Sequence, residues 1–264
     1  MTELEHLQSV ILSIAKDIDT LCRNNSIEYY LLGGSCIGAI RHKGFIPWDD
    51  DLDIIMTKDN YKKFLEVCKE QLDLSRYYIQ EGLKDWPLNF SKIRLKGTCL
   101  HEPEDEYATN DMHGIYVDVF CLENVPDSNL LAKIQYFLAK YYLCFQLGQR
   151  KYHKTSLKKK FMIMLSAPLK IHFLRKFVIN FIEHFNKQNT QRLGFYYGRT
   201  RFKTAITSRR IYGKPEYVAF EDTQLPVPQH YHEYLTQMFG DYMKLPPEEQ
   251  RQGLHLISVD FGKY

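Results

Sequence analysis

One stretch near the start of the chain decides the fold: Gly33-Gly-Ser-Cys-Ile-Gly-Ala-Ile-Arg-His-Lys-Gly-Phe-Ile-Pro-Trp-Asp-Asp-Asp-Leu-Asp-Ile-Ile-Met56. A short β-like run, 28–32, precedes the glycines, and a helical pattern, 36–42, follows them. Pro47 and Trp48 then lead into four aspartates within five positions and an apolar strand pattern. The stretch therefore predicts a strand, a tight turn, a helix, an acidic loop and a second strand.

The clustered aspartates are the first candidates for chemistry. Side chains alternate between the two faces of a strand, so Asp51 and Asp53 point the same way, and Asp49 shares their parity at the strand entrance. Carboxylates held together between apolar residues repel each other and need a cation. Oxygen ligands favour Mg²⁺ or Mn²⁺, so we expect a divalent metal here. An exposed acidic loop is the alternative.

The turn Gly33-Gly34-Ser35 is the second candidate. Glycine lets the backbone turn tightly, and free N–H groups at the start of a helix bind anions. We predict a phosphate-binding turn that faces the metal, although an ordinary capped turn has the same composition. The turn matches neither the dinucleotide-binding fingerprint nor the Walker loop.

A third acid, Asp118, lies in the middle of an apolar strand pattern, 115–121. Because an unpaired buried carboxylate is costly, Asp118 should share a metal or accept a proton. The alternative is a structural Asp bonded to the backbone or to an Arg. Lys92 and Arg94 share one face of the preceding strand and are candidates for binding phosphate oxygens, with an exposed basic face as the alternative.

The segment from Gly33 to Asp53 closely resembles the signature of the LicD phosphocholine transferases, which belong to the DNA polymerase beta-like nucleotidyltransferase superfamily. The most specific part is Arg41-His-Lys-Gly-Phe-Ile-Pro-Trp-Asp-Asp-Asp-Leu-Asp53. Looser landmarks continue through Asp118, Tyr234, Arg251 and His255. The resemblance therefore covers nearly the full length of the chain.

The resemblance implies a role for each candidate residue. Asp51, Asp53 and Asp118 match the catalytic and metal-binding acids, and Asp118 is the expected general base. The residues expected to contact the nucleotide or its phosphates are Gly33, Gly34, Ser35, Arg41, His42, Lys43, Lys92 and Arg94. Trp48 and Asp49 are expected to contact the substrate, because an aromatic face binds a quaternary ammonium, although Trp48 has core packing as its alternative. The acidic segment 101–106 is a second candidate for attracting choline, with a solvated surface loop as the alternative.

The same resemblance implies a reaction. It predicts transfer of phosphocholine from CDP-choline to a sugar hydroxyl of a cell-surface glycan precursor, of teichoic acid or lipopolysaccharide type and lipid-linked, with release of CMP. The closest alternative is a nucleotidyltransferase that passes a nucleoside monophosphate to a sugar phosphate and releases pyrophosphate. A binding module for nucleic acid or membrane is another alternative, but four clustered aspartates repel a nucleic acid, so we expect no nucleic-acid partner.

The composition and the order of the patterns predict the organisation of the chain. The 264 residues are 44% hydrophobic and 25% charged, as in ordinary globular proteins. We predict a mixed α/β (α+β) fold with a nucleotidyltransferase-like sheet and helices over 1–127, and a mainly helical basic part over 128–264 that completes the donor and acceptor site. No leader or membrane span is visible, so we expect a cytoplasmic protein. The six cysteines lack zinc-site spacing, so we expect buried reduced thiols.

Positive charge is concentrated in one block. Between Arg150 and Lys214 there are 17 Lys and Arg residues and one acid, Glu183. Apolar residues interleave with this charge from Lys158 to Phe177, as they do in helices that lie at a membrane interface. We expect peripheral contact with the anionic inner face of the membrane. Packing of these apolar residues on the catalytic core is the alternative.

Overall fold

The computed structural model describes residues 1–101, 113–149, 156–198, 200–251 and 258–264. Most of the acidic segment 101–106, the landmark His255 and the first residues of the basic block, 150–155, lie outside the described residues.

The described residues form a mixed α/β structure. The helices are α1 (Glu3–Asn24), α2 (Gly33–Ile37), α3 (Lys58–Gln71), α4 (Asn129–Gln149), α5 (Leu157–Leu165), α6 (His172–His184), α7 (Phe202–Ala205), α8 (Arg209–Tyr212) and α9 (Tyr231–Phe239). A π-helical turn, Gly38–His42, continues α2, and 3-10 turns cover Ala167–Lys170, Phe185–Lys187 and Glu248–Gln250. The strands are β1 (Tyr30–Leu31), β2 (Asp53–Thr57), β3 (Tyr77–Gln80), β4 (Ser91–Leu95), β5 (Cys99–His101), β6 (Tyr116–Val125), β7 (Arg192–Gly194), β8 (Ile206–Ser208), β9 (Glu216–Phe220), β10 (Thr223–Val227) and β11 (Ser258–Asp260).

Seven of the described strands form one sheet with the central order β1-β2-β6-β4-β3. Strands β2 and β6 are parallel, and their register places Asp53 opposite Asp118. Strand β4 pairs with the other side of β6 in the antiparallel sense and places Lys92 opposite Asp118. Strand β7 pairs with the later half of β6 and with β8. The sheet therefore aligns three predicted site residues in one row across three neighbouring strands.

Helix α1 covers this sheet. A capping box starts the helix: the Thr2 side chain accepts from the Glu5 backbone, and the Glu5 side chain accepts from the Thr2 backbone. Leu7, Ile11 and Ile14 recur at helical spacing and are buried in the main core. The helix contacts β6 and α3, so it braces the strand that carries Asp118.

The second half of the chain contributes to two cores. Leu193 of β7, Ile211 of α8 and Leu235 of α9 pack in the main core with the sheet. A separate core around α4 and α6 includes Tyr142 and Val178. The division at residue 127 therefore stays a prediction, while residues 128–264 contribute both a helical core of their own and part of the main one.

The predicted mixed α/β fold is confirmed. Two details differ. The strand after the acidic loop begins at Asp53 rather than near Asp50, and the short strands β7 to β11 were not predicted, because three to five residues are too few to show a period. The prediction that all six cysteines are buried is wrong for Cys99 and Cys144, which are half-buried. Cys99 lies on the two-stranded ribbon of β5 and β11, outside the main sheet.

The described helices also bear on the predicted absence of a membrane span. Among them, none combines the length and the apolar character that crossing a bilayer requires. Helix α4 is 21 residues long, but it carries Lys133 and Lys140 and several glutamines.

We predict that Gln135→Leu destabilises the fold by about 2–4 kcal/mol, because it leaves buried polar groups unsatisfied. The Gln135 amide is fully buried, donates to the carbonyls of Asn124 and Ile182, and accepts from the Tyr196 hydroxyl. Urea denaturation measures the change. The matched control is Gln149→Leu at the exposed end of the same helix, which should change stability by less than about 0.5 kcal/mol. Equal stability of the two variants would contradict the prediction.

Candidate active site

The centre of the site is the row formed by Asp53, Asp118 and Lys92. The Lys92 ammonium lies 3.1 Å from Asp118 Oδ1 and 3.2 Å from the centre of the Tyr116 ring. Lys92 and Asp118 are both buried, with Lys92 only 2% exposed. The alternative in which Lys92 belongs to an exposed basic face is therefore excluded. Its charge offsets the carboxylates at the centre of the sheet.

The acidic loop brings further carboxylates to this row. Carboxylate oxygens of Asp49, Asp50 and Asp51 lie within 4.8 Å of one another. Asp50 is buried, so the alternative of a freely exposed acidic loop does not describe this segment. The Gln8 amide on α1 donates to the Asp49 carbonyl at 2.9 Å and to the Ile46 carbonyl at 3.2 Å. Helix α1 therefore holds the loop in place.

Burial and mutual repulsion change the acidity of these groups. Burial, then the charges of Asp51 and Asp50, raise the pKa of Asp49 to about 8. Burial, then the charges of Asp51, Asp118 and Asp49, raise the pKa of Asp53 well above its usual range. The four aspartates around Asp53 thus act on one another across a short distance. An all-oxygen donor set in which Asp49 and Asp53 resist ionisation fits a divalent cation such as Mg²⁺ or Mn²⁺.

The Gly33-Gly34-Ser35 turn lies against the acids. Gly33 has a φ of +54°, which a residue with a side chain rarely adopts, and its N–H donates to the Tyr234 hydroxyl at 3.2 Å. A Cβ on Gly34 would lie 2.9 Å from Asp49 Oδ2, so glycine is needed for the approach of that carboxylate. The Ser35 hydroxyl accepts from the Asp53 N–H at 2.9 Å. The turn and the start of β2 are therefore one connected unit.

Arg41 and Lys43, two of the residues predicted to contact phosphate, each bond to a different part of the second half of the chain. Arg41 donates through Nη1 to the Tyr242 carbonyl at 2.6 Å and through Nε to His42, so it ties the π-helical turn to the C-terminal segment. Lys43 has a left-handed φ of 61°, and its carbonyl accepts from the Glu221 N–H. The Lys43 turn therefore packs against the β9–β10 hairpin.

Arg94 is buried and lies on β4, two residues after Lys92. Its guanidinium donates to Gln80 Oε1 at 2.8 Å and to the Gly114 carbonyl at 2.9 Å. These two hydrogen bonds hold the Arg94 guanidinium within the sheet, next to the predicted site. Its role in binding phosphate stays a prediction.

Trp48 borders the acidic loop. The Arg251 guanidinium lies 5.6 Å from the centre of its ring, and the His42 ring meets it edge-on at 6.2 Å. Trp48 is half-buried rather than enclosed in the core. The indole therefore already has a cation over its face, the kind of contact that a choline group would make.

Site residues that sequence reasoning did not single out come from distant segments. Gln8 positions the acidic loop, and Tyr234 of α9 contacts the glycine turn. Tyr116 lies directly under the Lys92 ammonium. Tyr234 and the segment near Arg251 appeared only as loose landmarks of the resemblance. For Gln8, Tyr234 and Arg251 the missed signal is tertiary, since these residues are far from the acids in sequence, whereas Tyr116 lies two positions before Asp118 and its contact with Lys92 depends on the pairing of β4 with β6.

A second group of ligand-type side chains lies on the β5 ribbon. Ligand atoms of Cys99, His101 and His113 lie within 4.8 Å of one another, with Cys99 Sγ and His101 Nε2 3.3 Å apart. Thiolate and imidazole ligands suit zinc rather than magnesium. Local spacing did not indicate this group, because 11 residues separate His101 from His113.

Comparisons with known proteins identify the family. The profile of the LicD/FKTN/FKRP nucleotidyltransferase domain matches residues 26–158. The chain is 32% identical over 263 residues to the lipopolysaccharide cholinephosphotransferase LicD of Haemophilus influenzae, and the match covers 96% of each chain. An uncharacterized protein of Rickettsia typhi is 46% identical over 57 residues, which is 22% of this chain and 18% of that protein. An uncharacterized protein of Rickettsia prowazekii is 49% identical over 47 residues.

The fold is a mixed α/β sheet with Asp53 and Asp118 side by side at its centre, and the family model that matches it is that of a nucleotidyltransferase domain. With a domain match over half of the chain and a relative that matches end to end, this protein belongs to the LicD family.

We predict that Lys92→Met destabilises the protein by about 3–5 kcal/mol, because it leaves the buried Asp118 carboxylate without the ammonium at 3.1 Å. The double variant Lys92→Met/Asp118→Asn should regain most of that loss, since it removes the charge on both sides. Thermal and urea denaturation measure both variants. Lys84→Met, at an exposed lysine, is the control and should have little effect. A single variant as stable as wild type would rule out a central role for this ion pair.

Proposed function

We propose that this protein transfers phosphocholine from CDP-choline to a sugar hydroxyl of a cell-surface glycan precursor and releases CMP. The observation that carries the proposal is the end-to-end similarity to the Haemophilus cholinephosphotransferase. The site supports it, because a cluster of carboxylates beside a glycine turn suits a diphosphate bound with a divalent cation. We further propose that the acceptor is of lipopolysaccharide or teichoic acid type, is lipid-linked, and is modified at the cytoplasmic side of the membrane.

Asp51, Asp53 and Asp118 are the residues that would hold Mg²⁺ or Mn²⁺. Their carboxylates belong to an all-oxygen donor set. Burial, and then the repulsion of neighbouring carboxylates, raises the pKa of Asp53, and a bound cation would offset both effects. When bound, the ion would neutralise charge on the diphosphate oxygens. The glycine turn would supply N–H groups to the same oxygens.

Asp118 is the proposed proton acceptor. The Lys92 ammonium at 3.1 Å stabilises negative charge on the Asp118 carboxylate, which leaves that carboxylate able to accept a proton. The acceptor hydroxyl oxygen forms the new bond to the phosphorus that carries choline, its proton passes to Asp118, and the bond to CMP breaks with CMP taking the electron pair. The protein contributes chiefly by positioning these groups in line.

Trp48 is the proposed contact for the choline group. Its ring already lies within 5.6 Å of the Arg251 guanidinium, which supports its use as a face for a cation. Asp49, beside the glycine turn, would add a negative charge next to the quaternary ammonium or near the metal.

The donor is tested by product analysis. With Mg²⁺, CDP-choline and a glycan acceptor, we expect CMP and a phosphocholine ester, and chelation by EDTA should stop the reaction. Parallel reactions with CDP-ethanolamine, CTP and UTP define the donor. Pyrophosphate released from CTP, with no turnover of CDP-choline, would instead assign the protein as a nucleotidyltransferase.

The acids are tested by Asp51→Asn and Asp53→Asn. Each should lower turnover at least about 100-fold, because each removes a charge that would hold the ion. Without metal, each variant should melt at the same temperature as wild type or higher, since one repulsive charge is gone. Mn²⁺ should raise the melting temperature of wild type but not of the variants. The control is Asp59→Asn, at an exposed position on α3, and near wild-type turnover in either test variant would contradict the assignment.

A further inference from the structure

Helices α5 and α6 and the turn between them expose many large apolar side chains. No residue of α5 is buried. Phe173 is 73% exposed, and Phe161 is 55% exposed. The exposed apolar residues of this segment are Leu157, Phe161, Met162, Met164, Leu165, Ile171, Phe173, Leu174 and Phe177. Together with the lysines Lys158, Lys159, Lys160, Lys170 and Lys176, they define the α5–α6 face.

Helix α5 turns its apolar stripe away from the protein. Ile163 faces inward, because a Cβ on Gly148 of α4 would lie only 2.6 Å from its Cγ2. Leu157, Phe161 and Leu165 follow at i, i+4 and i+8 on the opposite side of the helix. An isolated nine-residue helix is marginal in water, so a helix without a buried residue needs another surface to stabilise it.

Helix α6 has the same arrangement. Val178 and Ile182 are buried in the second core. Phe173 and Phe177, one turn apart, lie on the other side of the helix and are exposed. One stripe of α6 is therefore buried, in the second core rather than on the main core of the sheet, while the other stripe of α6 and the apolar stripe of α5 are exposed.

The charge of the face is almost entirely positive. Between Asn129 and Lys214 the sequence has one acid, Glu183. Glu183 forms an ion pair at 3.1 Å with Lys58 of α3, so it lies towards the catalytic sheet. On α5, Lys158 and Lys160 flank the outward stripe on its two sides, as lysines do when their ammonium groups reach lipid headgroups.

We propose that the α5–α6 face docks the protein on an anionic lipid bilayer, with the phenylalanines and aliphatic side chains in the interface and the lysines at the headgroups. A second copy of the chain fits less well, because two such faces would bring lysines against lysines. A nucleic acid would match the charge, but it would leave the aliphatic residues in water. The inference deepens the proposed function by locating its acceptor at the membrane.

Vesicle sedimentation tests the surface without donor or acceptor, so the docking surface and the transfer reaction can fail separately. Vesicles contain phosphatidylcholine alone or with about 30 mol % phosphatidylglycerol. We expect wild type to bind the anionic vesicles and to dissociate as salt rises. Lys158→Glu/Lys160→Glu/Lys176→Glu, at exposed lysines of the face, should lower the partition coefficient at least about 100-fold, since each lysine contributes roughly five-fold. Phe161→Ser/Phe173→Ser/Phe177→Ser should lower it by a similar factor.

The matched control is Lys62→Glu/Lys244→Glu/Lys263→Glu, which changes the net charge equally at exposed lysines elsewhere. It should keep the partition coefficient within about three-fold of wild type, since charges far from the bilayer are screened. Thermal melts show that each variant is folded. Absence of vesicle binding by wild type, or equal loss in the control, would overturn the proposal. The proposal would also be overturned if sedimentation velocity showed that wild type is a dimer that does not bind vesicles and that the serine variant is a monomer.

Discussion

The carboxylates gathered at the start of β2 repel one another, and the structure of the site depends on how this repulsion is offset. Parallel pairing of β2 with β6 brings Asp53 opposite Asp118, and the acidic loop adds further negative charge. A buried cluster of this kind is unfavourable unless cations offset it. Lys92 supplies one positive charge from β4, and the divalent ion we propose would supply the remainder.

Much of the protein positions this cluster. The Gln8 side chain on α1 holds the acidic loop, and the Ser35 hydroxyl holds the first residue of β2. Glycine at position 34 leaves space for the Asp49 carboxylate, while Tyr234 from the C-terminal helix contacts the turn. Segments before and after residue 127 thus meet at the candidate site, where Tyr234 contacts Gly33.

The sequence predicted the parts of this site that local patterns encode. The order of the patterns predicted a strand after the acidic loop and a strand around Asp118, and both are present as β2 and β6. Period-2 alternation also predicted that Asp51 and Asp53 share a strand face, but β2 begins at Asp53, so Asp51 lies in the loop before the strand. Local pattern could not supply the register between strands far apart in sequence. The sequence therefore predicted that Lys92 and Arg94 share a face of their strand. Only the folded sheet shows that Lys92 lies opposite Asp118 and that Arg94 donates hydrogen bonds to Gln80 and to the Gly114 carbonyl.

The same limit applies to the basic block. Its composition indicated an amphipathic surface, but a periodic apolar stripe looks alike whether it packs on a core or on a membrane. Only the fold shows that Val178 is enclosed while Phe173 and Phe161 remain exposed. In the same way, sequence spacing gave no sign of the group formed by Cys99, His101 and His113, because 11 residues separate His101 from His113.

A single measurement can decide whether the aspartates around β2 bind a divalent ion. Anomalous X-ray diffraction from crystals soaked in Mn²⁺ would locate that ion directly. We predict a manganese peak about 2.0–2.2 Å from carboxylate oxygens of Asp51 and Asp53. A peak found only at Cys99, His101 and His113, or no peak at the aspartates at saturating Mn²⁺, would contradict the account.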